Sequence, residues 1–170
     1  LSKTAMKIGA VNCVTISKKK KLKGYNTDYH GFKKSIKPLL KDHHKKALIL
    51  GTGGASKAIA YALRSLKIEY DFVSRTADEF QYKYEELDAS IFEEYTIIIN
   101  TTPVGTHPNV DDCPNLDYSL FTKKHIAYDL IYNPEETAFL RKAKAQGAVT
   151  KNGYEMLVLQ AEKAWKIWNE

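Results

Sequence analysis

Acidic residues are almost missing from the first quarter of this 170-residue chain: across residues 1–46, thirteen lysines face only Asp28 and Asp42. Cysteine is scarce as well. Cys13 and Cys113 are the whole supply, with no metal-ligand spacing between them. That excludes a disulfide framework and a cysteine metal site, and both read as free thiols suited to a reducing cytoplasm. The five histidines are no better placed: His43 and His44 adjoin, while His30, His107 and His125 are scattered, so no metal is expected. No hydrophobic run is long or apolar enough to cross a membrane. Beyond Lys18-Lys19-Lys20-Lys21 there is no low-complexity segment, and no internal repeat.

The basic excess is local. Residues 47–170 carry thirteen basic and eighteen acidic side chains, so the net charge of +6 belongs to the first quarter. A basic block can bind nucleic acid. However, the lysine run sits between two strand-like segments, where a solvated hairpin turn accounts for it. No aromatic residues interleave with it as stacking platforms. Nucleic acid is not an expected partner.

Apolar patterning gives the fold class. Leu1, Ala5 and Ile8 recur at helical spacing with no capping residue in front. Val11 to Ile16 and Leu22 to Asn26 read as the strands of a hairpin. A two-stranded sheet is marginal alone, so it needs a larger sheet, and the chain is expected to be part of a longer fold. Residues 1–28 are accordingly expected to be poorly ordered or packed on a neighbour. Phe32, Ile36, Leu39 and Leu40 form the stripe of a helix over 29–41, bent or shortened near Pro38. From residue 47 the alternation is regular. Strands are expected at 47–50, 70–74, 96–99 and 126–131, with helices at 54–66, about 90–94 and 135–146. A short run follows at 147–150 and a last helix at 154–168. Continuously apolar strands alternating with helices specify an α/β, doubly wound parallel sheet with helices on both faces.

Within that frame, Gly51-Thr52-Gly53-Gly54-Ala55-Ser56 directly follows the apolar run Ala47–Leu50 and opens a helix. Strand, glycine turn and helix N-terminus make a site for a pyrophosphate, because glycine lets the backbone approach and free helix N–H groups face the charge. The second strand ends in Ser74-Arg75-Thr76. An NAD site places an acid there, whereas an NADP site uses small polar and basic groups for the 2′-phosphate. Asp71 falls near the strand's start, roughly 10 Å from its carboxyl end at ~3.3 Å per residue, and does not serve as that acid. Arg75 can clamp a phosphate with paired hydrogen bonds. NADP(H) is the expected cofactor. Asn100-Thr101-Thr102-Pro103-Val104-Gly105 follows the third strand, in the crevice where ligands bind in this architecture. Asn12, Asn26 and Asp28 surround the hairpin. Spacing alone favours turn-forming and strand-ending roles for them, with binding of a ligand's hydroxyls as the alternative. In the last helix Met156 reads as core and Gln160 as a neutral helix residue.

Taken in order, these segments resemble shikimate dehydrogenase. The matching runs are Gly9-Ala10-Val11-Asn12-Cys13, Gly24-Tyr25-Asn26-Thr27-Asp28, Gly51 to Ser56, and Ser74-Arg75-Thr76. Asn100 to Gly105, Asp129-Leu130-Ile131-Tyr132 and Asn152 to Gln160 follow in sequence. The resemblance covers nearly all the chain. It implies a Rossmann-like NADP-binding domain at 29–152, a remnant of a substrate-binding domain at 1–28, and a helix at 153–170 returning toward that domain. It implies NADPH-dependent reduction of 3-dehydroshikimate to shikimate, in chorismate and aromatic amino-acid biosynthesis. Asp28 matches a catalytic aspartate. Asn12, Asp28, Tyr132 and Gln160 match substrate-binding positions. Gly51, Gly53, Gly54, Ala55, Ser74, Arg75, Thr76, Asn100, Thr101, Thr102, Gly153 and Met156 match cofactor positions. Cys13 stands where the family has threonine and Ser74 where it has asparagine. The family's Ser-x-Ser substrate motif and its catalytic lysine segment do not occur, so little or no turnover is expected from this chain alone. A quinate/shikimate relative or a non-catalytic NADP-binding module are the competing readings. The missing acid at Ser74 and Thr76 weighs against the first, and Asp28 with Gln160 against the second.

Overall fold

Strands apolar on both faces can be buried only between two helical layers, and that arrangement forms here. The computed structural model describes residues 1–170. Its elements are α1 (Lys3–Ile8), β1 (Cys13–Ile16), β2 (Leu22–Tyr25), α2 (Asp28–Ile36), β3 (Lys46–Leu50), α3 (Gly54–Ser65) and β4 (Glu69–Val73). They continue with α4 (Ala89–Glu94), β5 (Ile97–Asn100), β6 (Ile126–Asp129), α5 (Ala138–Ala145), β7 (Val149–Lys151) and α6 (Tyr154–Trp168).

Five strands form one parallel sheet in the order β4-β3-β5-β6-β7. The period of two along β3 divides its side chains. Ala47 and Ile49 pack with Phe32 and Ile36 of α2, Ile59 and Leu63 of α3, and Met156 of α6. Leu48 and Leu50 pack with Phe92 of α4 and Phe139 and Leu140 of α5. Each of the buried leucine, isoleucine and phenylalanine side chains contributes about 1.5–3 kcal/mol relative to exposure. The chain steps from β3 to β4 on one side, then crosses back to β5 on the other. That reversal opens a crevice above the carboxyl ends of β3 and β5.

Several boundaries differ from the sequence reading. Ser2 caps α1 after all: its hydroxyl accepts the Ala5 N–H at 3.1 Å, so the helix starts at Lys3 rather than at Leu1. The proline shortens α2, which ends at Ile36 and runs on as a 3₁₀ turn over Lys37–Leu39. β6 stops at Asp129 because the chain turns there, and α5 waits for its cap at Thr137. Asp71 lies in the middle of β4, where its carboxylate accepts the Tyr95 hydroxyl.

Residues 1–28 are folded against the rest of the chain, contrary to the expectation of a loosely held segment. Ala5 and Ile8 are buried where α1 meets α3, and the Trp168 indole N–H donates to the Val14 carbonyl at 3.0 Å. β1 and β2 nevertheless form a sheet of two strands only, and Val14, Ile16 and Leu22 stay exposed.

Candidate functional site

The glycine turn sits where β3 delivers the chain to the crevice. Gly51 has φ +99°, a region that disfavours other residues. A Cβ there would lie 2.9 Å from Thr102 Cγ2 and 3.0 Å from Thr101 Oγ1. Gly53 and Gly54 are the opposite case: a Cβ on either would meet only open space. No side chain caps α3, and Ser56 turns its hydroxyl back onto the Gly53 carbonyl at 2.6 Å. The first N–H groups of this twelve-residue helix, including that of Ala55, therefore face outward over a bare backbone. That surface fits a dinucleotide pyrophosphate, whose oxygens would accept from those groups.

On the neighbouring strand, Ser74, Arg75 and Thr76 follow β4 at the same edge of the sheet. Arg75 is exposed and forms no ion pair, and its charge is felt by the Tyr84 phenol. Ser74 accepts the Thr76 N–H at 3.3 Å, which shapes the turn. A free guanidinium with two hydroxyls on a turn suits a phosphate monoester.

Across the crevice the loop after β5 is held rigidly. Thr101 sends its N–H and its hydroxyl to the Leu50 carbonyl, at 3.0 and 2.6 Å. Asn100 is fully buried, and its amide is consumed inside the protein by Thr102, Val104 and Asp129. Its side chain supports the loop from beneath. Gly153 closes the far side. Its N–H donates to the Ile131 carbonyl at 3.1 Å, and a Cβ would stand 1.9 Å from the Leu130 oxygen. The start of α6 is thus pinned to the carboxyl end of β6, with Met156 buried one turn further on.

The polar residues around the hairpin converge on that same helix. A Cβ on Gly31 would lie 2.4 Å from the Met156 carbonyl oxygen, so α2 and α6 cross in direct backbone contact. The crossing brings the Thr27 hydroxyl to Gln160 Oε1 at 3.1 Å. Asn12 joins from the start of the hairpin: Nδ2 donates to Asp28 Oδ1 at 2.8 Å, and Oδ1 accepts the Thr27 N–H at 2.8 Å. Asn12, Asp28 and Gln160 therefore form one cluster about Thr27. Burial pushes the Asp28 carboxyl up, partly opposed by the Asn12 hydrogen bond. A carboxyl raised toward neutrality exchanges protons with a substrate oxygen more readily than an ordinary one. Tyr132 is exposed beyond the end of β6 and makes no hydrogen bond to this cluster.

Three participants have parts that the sequence did not assign them. Thr27 was part of a matched run, yet its buried position at the centre of the cluster comes from the α2–α6 crossing. Asn26 caps α2 by accepting the Asp28 and Tyr29 N–H groups on Oδ1. Asp129 is buried beneath the crevice loops, and its place in the matched run Asp129–Tyr132 gave it no role of its own.

With that geometry in place, similarity to known proteins is extensive, although no family model matches. The chain is 41% identical over 186 aligned residues to the NADP(+) shikimate dehydrogenase of Caldanaerobacter subterraneus subsp. tengcongensis, covering 99% of this chain and 65% of that protein. Shikimate 5-dehydrogenase of Thermus thermophilus, solved with NADP(H) and shikimate, superposes with a TM-score of 0.82 at 35% identity. That match covers 98% of this chain and 65% of the other. Quinate dehydrogenase of Corynebacterium glutamicum, solved with NAD, gives a TM-score of 0.79 at 28% identity, over 98% of this chain and 64% of that one. The chain spans about 64–65% of the length of the curated relatives it matches.

Proposed function

We propose that this chain, homologous to the shikimate dehydrogenases along 99% of its length, is the NADP(H)-binding portion and part of the substrate site of an enzyme reducing 3-dehydroshikimate to shikimate. The observation that carries the reading is the joining of Asn12, Asp28 and Gln160 beside the helix that closes the nucleotide crevice. A module that only bound nucleotide would need no such cluster.

The reduced nicotinamide supplies the hydride in this chemistry. Gly53, Gly54 and Ala55 would hold the pyrophosphate through backbone N–H groups, while Ser74, Arg75 and Thr76 hold the 2′-phosphate. Thr101, Thr102, Gly153 and Met156 would shape the nicotinamide end, Asn100 acting from beneath. Asn12 and Gln160 would accept or donate to substrate hydroxyls, with Tyr132 reaching in from the surface. Asp28, protonated more easily than a solvated aspartate, would exchange a proton with the carbonyl oxygen as it becomes a hydroxyl. The two free cysteines suit work in a reducing cytoplasm.

A quinate-directed relative is the second reading, favoured by the likeness to quinate dehydrogenase. Neither Ser74 nor Thr76 supplies the acid that an NAD ribose would use, and this favours NADP. Titration of the chain with NADPH and NADH by fluorescence tests the cofactor reading. NADPH should bind roughly 10–100-fold more tightly, the worth of charge-assisted bonds to one phosphate. Equal affinities would overturn it.

A further inference from the structure

Asp129 ends β6 with no part yet in binding or proton transfer. It is completely buried, and no lysine, arginine or histidine pairs with it. Three donors surround the carboxylate instead. Oδ1 accepts Asn100 Nδ2 at 3.1 Å and the Ile131 N–H at 3.1 Å, and Oδ2 accepts the Thr137 hydroxyl at 2.7 Å. Thr137 in turn caps α5 by accepting the Leu140 N–H.

The bond to Asn100 has a consequence one residue further on. An Asn amide can face either way, and its neighbours decide. Here the carboxylate claims the NH₂ end. The amide oxygen is thereby turned toward Thr102, where it accepts the backbone N–H at 3.1 Å and the hydroxyl at 2.6 Å. A reversed amide would set oxygen against carboxylate and NH₂ against the Thr102 N–H, losing on both sides. Thr102 then lies against Gly51, close enough that a Cβ on Gly51 would meet its methyl at 2.9 Å.

We infer that Asp129 is the positioning residue of the nucleotide crevice: through Asn100 it fixes Thr102 beside the glycine turn, and so sets the gap between the loops after β3 and β5. The inference builds on the reading of this crevice as an NADP(H) site. Burial pushes the carboxyl up to about 6. Its ionised form therefore costs the fold stability at neutral pH, as expected of a group serving geometry rather than packing.

Two variants separate positioning from support. Asp129→Leu keeps roughly the size and removes the acceptor that orients Asn100. Thr137→Val removes a donor on the other oxygen and leaves Asn100 oriented. In the ligand-free chain, hydrogen exchange of the Thr102 amide should accelerate about tenfold in Asp129→Leu, the effect of losing one oriented buried bond, and stay unchanged in Thr137→Val. NADPH affinity should fall about tenfold in the first and hold within about twofold in the second, although both melt at lower temperature. Asn100→Ser cuts the chain of contacts one residue later and should reproduce both losses if Asp129→Leu does not fold. Unchanged Thr102 exchange in Asp129→Leu, or equal losses in Thr137→Val, would overturn the inference. A parent chain that ignores NADPH while the exchange pattern holds would instead overturn the cofactor reading alone.

Discussion

Arg75 was legible as a residue because only its chemical type and its place after a strand mattered. A guanidinium on an open turn is recognised from sequence, and the structure leaves it free of ion pairs. Arg75→Ala should lower NADPH affinity by roughly 10–100-fold and leave NADH binding nearly untouched, which paired titrations will read. Asp28 was legible through its matched run alone, since an aspartate after Asn-Thr also reads as a turn or helix-start residue. Its raised carboxyl comes from burial. Supplied with the third of the relatives' length that it does not span, the chain should turn over, and Asp28→Asn should cut kcat by roughly 10²–10⁴-fold with NADPH affinity intact. An unchanged rate would strip Asp28 of its proton-transfer role. Asp129 and Thr27 stayed hidden because their importance lies in which buried partners surround them.

Element order followed from periodicity, since a continuous apolar strand and a 3.6-residue stripe are both written locally. What periodicity could not supply was the approach of α2 to α6. Neither Gly31 nor Gly153, the latter matched to a cofactor position, showed its packing role, yet each stands where a side chain would collide with a backbone carbonyl, of Met156 and of Leu130. Gly31→Ala should therefore cost about 1–3 kcal/mol in urea unfolding, the usual penalty of overpacking, and should also separate Thr27 from Gln160. Gly153→Ala, with its closer clash, should cost more. A Gly31→Ala chain as stable as the parent would mean that the helices part without penalty. Cap positions were less legible than stripes. Ser2 and Thr137 each accept a backbone N–H that only the folded turn brings within reach.

Across the whole molecule, the amino end of the sheet carries a pH dependence. His44 Nδ1 accepts the Lys41 N–H and His125 Nδ1 accepts the Thr122 N–H, so each ring carries its proton on Nε2, toward the carbonyls of Lys124 and Phe92. Burial lowers both from the ordinary 6.5, with His43 and Lys41 adding repulsion at His44 and His43 at His125. The unfolded chain then binds more protons than the folded one below about pH 6.5, so stability falls as pH drops through that value. Asp129, raised to about 6, opposes this over the same range, because the folded form takes up its proton before the unfolded one does. The histidine contribution is therefore read as a difference: in urea unfolding from pH 7 to 5.5 the midpoint of His125→Gln should lose less than that of the parent. Identical pH profiles in the two chains would contradict the neutral, backbone-locked imidazole of His125.

The sequence by itself determined the alternation of strands and helices, the glycine turn after β3 and the basic turn after β4, because each depends on neighbours within a few residues. Tertiary structure alone decided that Asn12, Thr27 and Asp28 meet Gln160, and that Asp129 orients Asn100 beneath the crevice. Those contacts join segments far apart in the chain, and only the packing of α2 on α6 and the register of β5 on β6 bring their polar atoms within hydrogen-bonding distance.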